Sequence, residues 1–268
     1  MGVKSVVMLT DIEGAAGVVS FETQTRADAR YYDDARKILT AEVNAAVDGL
    51  LEASVEEILV VDGHGPGGIH FESLHPEARL MHGRPIGLAR ECARVLPACD
   101  ATCIVGQHAM CGVADGTMNH TQSSATIDSY RLNGREIGEI AQWALFAGSF
   151  GVPMIFLSGD EAACREASDL VPGITTAAVK RGLSRYAAIS LSAAKAQALI
   201  RAGARAAVGK QASDPITPLR WPGPYLLEKR YLFTNAVDGY ASHRFLHRLV
   251  DSRTVELRSD ELRDIIYA

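Results

Sequence analysis

Four short runs, each almost wholly apolar, do most to limit what this chain can fold into. They are Val6 to Thr10, Ile58 to Val61, Thr102 to Val105 and Met154 to Leu157. A strand that reads apolar throughout, rather than alternating, is buried on both faces, as in a parallel sheet covered by helices on each side. The intervals supply those helices. Ala35 to Ala53 sets Ile38, Leu39, Val43, Ala46, Val47, Leu50 and Leu51 at helical spacing. Ile86 to Val95 reads as a second helix stopped before Pro97, and Gly138 to Phe150 as a third. Strands alternating with helices predict an α/β fold, a mostly parallel sheet flanked by helices.

Two stretches break the alternation. Ser124 to Leu132 has strand character and runs into Asn133-Gly134, the strongest short hairpin signal. The expectation is an antiparallel edge strand or hairpin carried on the α/β layer. Past Pro172 come a helix (Ala193 to Ala207), a proline-rich stretch over 213–224 and strands at Tyr225 to Phe233 and Thr254 to Leu257. This predicts an α/β domain over 1–171 and a smaller α+β region over 172–268 packed on it.

At 268 residues the chain can bury roughly three quarters of its unfolded surface and needs no disulfides. Its cysteines, Cys92, Cys99, Cys103, Cys111 and Cys164, are odd in number and include no CxxC, which fits reduced thiols in the cytoplasm. The first residues read as a strand rather than a signal peptide. A net charge of −5 argues against nucleic acid as a partner. No apolar run approaches the ~20 residues of a membrane helix.

Ligands of open α/β sheets bind beyond the carboxyl ends of the strands. The first run ends in Asp11-Ile12-Glu13-Gly14, the second in Asp62-Gly63-His64 and the third in Gly106-Gln107-His108. Met118-Asn119-His120 follows, and Glu139 opens the helix after the hairpin. Residues two apart in extended chain face the same side, so Asp11 and Glu13 can reach one ion together. Asp, Glu and His are the usual oxygen and nitrogen ligands of zinc. A single zinc takes four ligands. Asp11, Glu13, His64, His108 and Glu139, with His120 in reserve, suit two ions joined by a bridging carboxylate. Taken one at a time, an acid at a strand end more often caps a helix, and a lone histidine is more often a satisfied polar group.

Other motifs compete less well. Gly63 to Gly68 matches GxGxxG after a strand, but the residues that follow read as a loop ending in Pro76 rather than a helix that would hold a pyrophosphate. His243 and His247 have HxxxH spacing, with Arg244 where a metalloprotease would place its glutamate. His70, His75 and His82 read as loop residues, and Cys99 with Cys103 is a weak redox pair.

The ordered set of motifs resembles the D-aminopeptidases of the DppA type, a family of zinc metallopeptidases. It comprises Asp11-Ile12-Glu13-Gly14 (with Leu9 where the family has serine), Asp62-Gly63-His64, Gly106-Gln107-His108, Met118-Asn119-His120 and Asn133 to Glu139. Ser158-Gly159-Asp160 and Thr175 to Lys180 also match. The resemblance implies two zinc ions per chain. Asp11 would bridge them, Glu13 and His64 would complete one site, and His108 and Glu139 the other. It implies that His120 is not a ligand and sits beside the reacting carbonyl, a catalytic role for 1–171, and oligomerisation and a pocket wall for 172–268. Glu13 or His120 can then handle protons; a carboxylate bound to zinc is the poorer base, which favours His120 as proton carrier, or as oxyanion donor instead. The resemblance also implies a decamer of stacked rings, and a substrate that is a short peptide, with D-residues such as D-Ala at the amino end, or another small amide. The loops at 65–84 and 110–117 are expected to shape the pocket. Readings from other classes are a nucleotide-binding domain using the Gly63 to Gly68 loop and an assembly protein whose metals are structural.

Overall fold

The four apolar runs become the middle of one sheet. The computed structural model describes residues 2–85, 87–238 and 247–268. Its larger sheet holds β1 (Ser5–Thr10), β2 (Glu57–Asp62), β3 (Ala78–Met81), β4 (Ala101–Gln107), β7 (Met154–Asp160), β8 (Thr175–Ser184) and β9 (Ala187–Ser190), in the order β3-β2-β1-β4-β7-β8-β9. Every pairing is parallel except β8 with β9. β1 lies between β2 and β4, so the chain builds first to one side of β1 and then to the other. That reversal opens a crevice at the strand ends. Thr10 is in register with Asp62 on one side and Val105 on the other, which levels the three ends.

Helices α1 (Tyr32–Glu52) and α5 (Ala193–Ser213) pack together on one face. Phe156 of β7 meets Gly203 of α5 on that side. α3 (Glu139–Ser149) and α4 (Glu161–Leu170) pack together on the other, where Trp143 donates its indole N–H to Thr102 of β4 at 2.8 Å. α2 (Leu88–Val95) runs on into a single 3₁₀ turn, Leu96–Ala98, which takes in Pro97. Ile86, expected to open this helix, lies outside the described residues.

The hairpin expectation needs correcting. β5 (Ile127–Leu132) and β6 (Arg135–Ile137) do join through Asn133-Gly134, both at positive φ (51° and 78°), the backbone a two-residue hairpin turn demands. They do not lie on the α/β layer. They belong to a second, antiparallel sheet, β11-β12-β10-β5-β6, with β10 (Tyr225–Tyr231), β11 (His247–Asp251) and β12 (Thr254–Ser259). The reason is burial. A lone two-stranded hairpin cannot cover its own apolar face. β5 carries Ile127, Tyr130 and Leu132 inward, and β10 supplies Leu227 and Tyr231 beside them.

The two sheets also do not divide the chain at residue 172. β8, β9 and α5 belong with the larger sheet, while the smaller one joins residues 127–137 to residues 225–259. A short helix, α6 (Leu262–Ile265), ends the fold against β12 and α3.

Candidate active site

The crevice at the ends of β1, β2 and β4 gathers the residues expected from sequence. Asp11 and Glu13 follow β1, His64 follows β2, His108 follows β4, and Glu139 is the first residue of α3. All but Glu139 are nearly sealed from solvent: Asp11 is 7% exposed, Glu13 3%, His64 7% and His108 1%.

Two glycines let the strand ends close up. A Cβ on Gly106 would lie 2.0 Å from the Asp11 carbonyl oxygen, and one on Gly14 would lie 2.0 Å from that of Gln107. Asp11 N–H donates to Val105 (3.0 Å) and Gly14 N–H to Gly106 (2.7 Å), so the turn after β1 is laced to the end of β4. Gly106 also has φ +80°, which side-chain-bearing residues rarely adopt.

The two oxygens of Asp11 face different histidines. Oδ1 is 3.2 Å from His64 Nδ1, and Oδ2 is 3.1 Å from His108 Nε2. Glu13 Oε2 lies 3.2 Å from the same His64 nitrogen, and Glu139 Oε1 lies 3.6 Å from His108 Nε2. The opposite nitrogens are spent on backbone carbonyls: His64 Nε2–H donates to Thr25 (2.8 Å) and His108 Nδ1–H to Ala109 (2.9 Å). A neutral histidine held this way presents one lone pair inward, the usual tautomeric control of a metal-binding imidazole.

These residues fit a metal. Glu13 Oε2 and His108 Nε2 are buried and make no hydrogen bond. Ligand atoms of Asp11, Glu13 and His108, and separately of His108, His120 and Glu139, lie within 4.8 Å of one another. Without a cation, the carboxylates draw protons onto the imidazoles. Burial pushes His64 and His108 down. Glu13 with Asp11 more than offsets this at His64, and Glu139 with Asp11 brings His108 up to about 10. Burial pushes Asp11 up, but His108 and His64 hold it well below the usual carboxylate range. A divalent ion would take the place of those protons.

His120 stands at the edge of the cluster. Its ring stacks on His108 with centroids 3.9 Å apart, Phe21 meets it edge-on at 5.4 Å, and Nε2 is 3.8 Å from Glu139 Oε1. Its Nδ1–H donates to the Met118 carbonyl at 3.0 Å, which leaves Nε2 facing the site. Burial and the neighbouring His108 lower its pKa, favouring the neutral ring.

The segment carrying His120 is anchored from three sides. Met118, at φ 52°, donates its N–H to the Arg185 carbonyl in the β8–β9 turn (2.7 Å). Asp160 caps α4 through Ala163 N–H and accepts from Thr117 N–H, each at 2.7 Å. Asn119 bonds within its own loop, to Gly112 and Gly116. Asp62 likewise holds a loop, accepting from Gly68 N–H at 2.8 Å.

Two buried charges behind the site have no role assigned from sequence. Lys180 of β8 donates to the carbonyls of Glu13 and Val18, and Glu42 of α1 accepts from Ala16 N–H at 2.9 Å. Burial moves the lysine down to about 8 and the glutamate up to about 7. Together they clamp the turn that carries Asp11 and Glu13. Glu42 was detectable: it falls on the apolar stripe of α1 with Leu39, Val43 and Ala46, where an acid needs a reason. Phe21, Thr25 and Arg26, in a helical turn over 21–25 and its cap, left no periodic signal.

The site opens into a pocket of about 610 Å³ lined by Asp11, Glu13, His64, His120 and Glu139 on its floor. Gly65, Pro66 and Arg84 of the 65–84 loop line it, as expected. The 110–117 loop does not; its Met110 and Val113 face a separate cavity beside α4. The Gly63 to Gly68 loop folds back on Asp62 and His64 and leads into a 3₁₀ turn, Phe71–Ser73, not a helix fit for a pyrophosphate. His247 opens β11, far in sequence from the cluster, and His243 lies outside the described residues.

Known proteins resemble this chain along most of its length. A family model described as D-aminopeptidase matches residues 5–268. A D-aminopeptidase of Bacillus subtilis (strain 168) is 33% identical over 218 residues, covering 80% of this chain and 77% of the relative. A solved structure, the Zn-dependent D-aminopeptidase DppA from Bacillus subtilis, described as a self-compartmentalizing protease, superposes with a TM-score of 0.85. It shares 28% identity over 98% of this chain and 94% of its own. With the match running from the first strand to the last residue, the chain belongs to the D-aminopeptidase family.

Proposed function

We propose that this protein is a zinc-dependent aminopeptidase that holds two metal ions per chain and removes the amino-terminal residue, such as D-Ala, from short peptides. The observation that carries the reading is Asp11, whose two oxygens face two different histidines and so can serve two ions. Glu13 and His64 would hold one ion with Asp11, and His108 and Glu139 the other. Bound zinc supplies a water acidic enough to ionise near neutral pH and an electrophile for the amide carbonyl.

The chain's own residues do the rest. The Gly14 and Gly106 contacts fix the ligand spacing. His120, neutral and with the lone pair of Nε2 toward the pocket, takes up a proton there and, once protonated, donates a hydrogen bond to the oxygen that gains charge. Burial of the floor excludes bulk water. The pocket volume suits a peptide of a few residues.

The test is a panel of D- and L-configured di- and tripeptides, amino-acid amides and amino-blocked peptides, assayed with and without a chelator. Cleavage of peptides with a free amino end, abolished by chelation and restored by zinc, is expected. Cleavage only of amides without a free amino group would favour the small-amide reading, and chelator-insensitive cleavage would refute the metal.

Its solved relative is self-compartmentalizing, and we assign this chain the same habit, as a decamer of stacked rings. Exposed Leu183, Tyr186 and Ile189 at the β8–β9 hairpin, Leu249 and Val250 on β11 of the smaller sheet, and Phe233 just after β10 offer apolar surface for it. Sedimentation as a monomer at micromolar concentration would remove this part. Five free cysteines suit a reducing, cytoplasmic setting. Among the described residues no helix is long and apolar enough to cross a membrane.

A further inference from the structure

We infer that Arg26 binds the free carboxylate of the peptide substrate, and so makes the enzyme prefer short peptides with an unblocked carboxyl end; this rests on the aminopeptidase reading above. The pocket wall contains two arginines, Arg26 and Arg84. Arg84 is committed to the fold: its guanidinium donates to the carbonyls of Asp62, His64, Gly65 and Gly83. Arg26 is not. Its guanidinium makes no hydrogen bond among the described residues and approaches only Glu22, at 3.7 Å, with both side chains 58% exposed. An exposed pair at that distance is worth little and is easily displaced.

The backbone at Arg26 is nonetheless fixed. The carbonyl of Thr25, the residue before it, accepts from His64 Nε2–H, and Arg26 N–H donates to the Phe21 carbonyl at 3.3 Å. The arginine therefore leaves the backbone one residue from a contact with the cluster itself. An extended dipeptide spans about 7 Å, at about 3.5 Å per residue, from amino nitrogen to carboxylate. With its amino end on the floor, its carboxylate lies up the pocket wall, where Arg26 is the arginine not already committed to the fold. The floor and the walls close to it carry Asp11, Glu13, Asp62 and Glu139. A second anion entering this pocket needs a cation of its own, and a guanidinium fork matches a carboxylate in two hydrogen bonds.

The experiment compares a dialanine, of the configuration the enzyme turns over, as the free acid and as its carboxyl-terminal amide. The zinc-loaded full chain would be used as wild type, Arg26→Gln and Arg26→Lys. A charge-assisted pair at a partly exposed site should give wild type a KM about tenfold lower for the acid than for the amide. Arg26→Gln should raise KM for the acid about tenfold, leave kcat and the amide KM within about twofold, and so erase the preference. Arg26→Lys should restore part of it. Equal KM values for acid and amide in wild type, or an equal loss on both in Arg26→Gln, would overturn the assignment. Failure of every variant to cleave either compound would instead count against the aminopeptidase reading. Calorimetric binding of the same two compounds to wild type and Arg26→Gln would then decide Arg26 alone, with equal affinities in wild type overturning it.

Discussion

Replacing His120 with alanine should lower kcat by about a thousandfold while zinc content stays at the wild-type level, because a positioned acid or base contributes roughly 10²–10⁴ in rate. The geometry makes the outcome informative. Nε2 of His120 sits within ligand distance of His108 and Glu139, so position alone would also permit it to bind metal. Its ring, however, is stacked flat on His108 rather than standing opposite it, and Asp11 already faces His108 Nε2. If zinc leaves with the imidazole, His120 is a ligand and the proton-handling role is wrong. Removing the ring also removes the edge contact with Phe21, but this is one packing interaction beside a site anchored by Asp160 and Arg185. A melting curve with and without zinc would separate the effects: the variant should keep the zinc-induced rise in Tm.

Asp11→Ala should release both metals and abolish turnover. Glu13 and His64 on one side, and His108 and Glu139 on the other, are each left with two ligands where zinc takes four. The carboxylate is also the group that both imidazoles face, at 3.2 and 3.1 Å, so its loss removes the one carboxylate that the two buried histidines share. Zinc should then no longer raise Tm. Asp11→Asn is the companion variant. It keeps the side chain's shape and the acceptor for Ile12 N–H, which Asp11 Oδ1 receives at 2.8 Å, but offers one oxygen and no charge, so it should retain at most one weakly held ion. Two tightly bound zincs in either variant would remove Asp11 from the centre.

The layout of this centre was legible in the sequence because parallel strands buried on both faces read as unbroken apolar runs, and the chemistry follows at their ends. Asp11, Glu13, His64 and His108 could be picked out by that rule. The wall of the pocket could not. Phe21, Thr25 and Arg26 sit in an irregular turn with no hydrophobic period, and what places them is a tertiary contact, the Thr25 carbonyl on His64. The hairpin was recognised from Asn133-Gly134, but its sheet was not. Its partner, β10, lies 93 residues on in sequence, and alternation in a strand says which face is buried without saying against what. The same limit explains residue 172, where composition changes but the larger sheet continues through β8 and β9.

Elemental analysis of the protein, purified without added metal and again after equilibration with micromolar zinc and removal of the excess, tests the two-metal centre most directly. About two zinc ions per chain, with activity rising as the second is filled, is the result that a bridging Asp11 requires. One ion per chain at saturation would confine the chemistry to half of the cluster. None at all would leave Glu13 Oε2 and His108 Nε2 with only their close contacts to His64 and Asp11 and contradict the account.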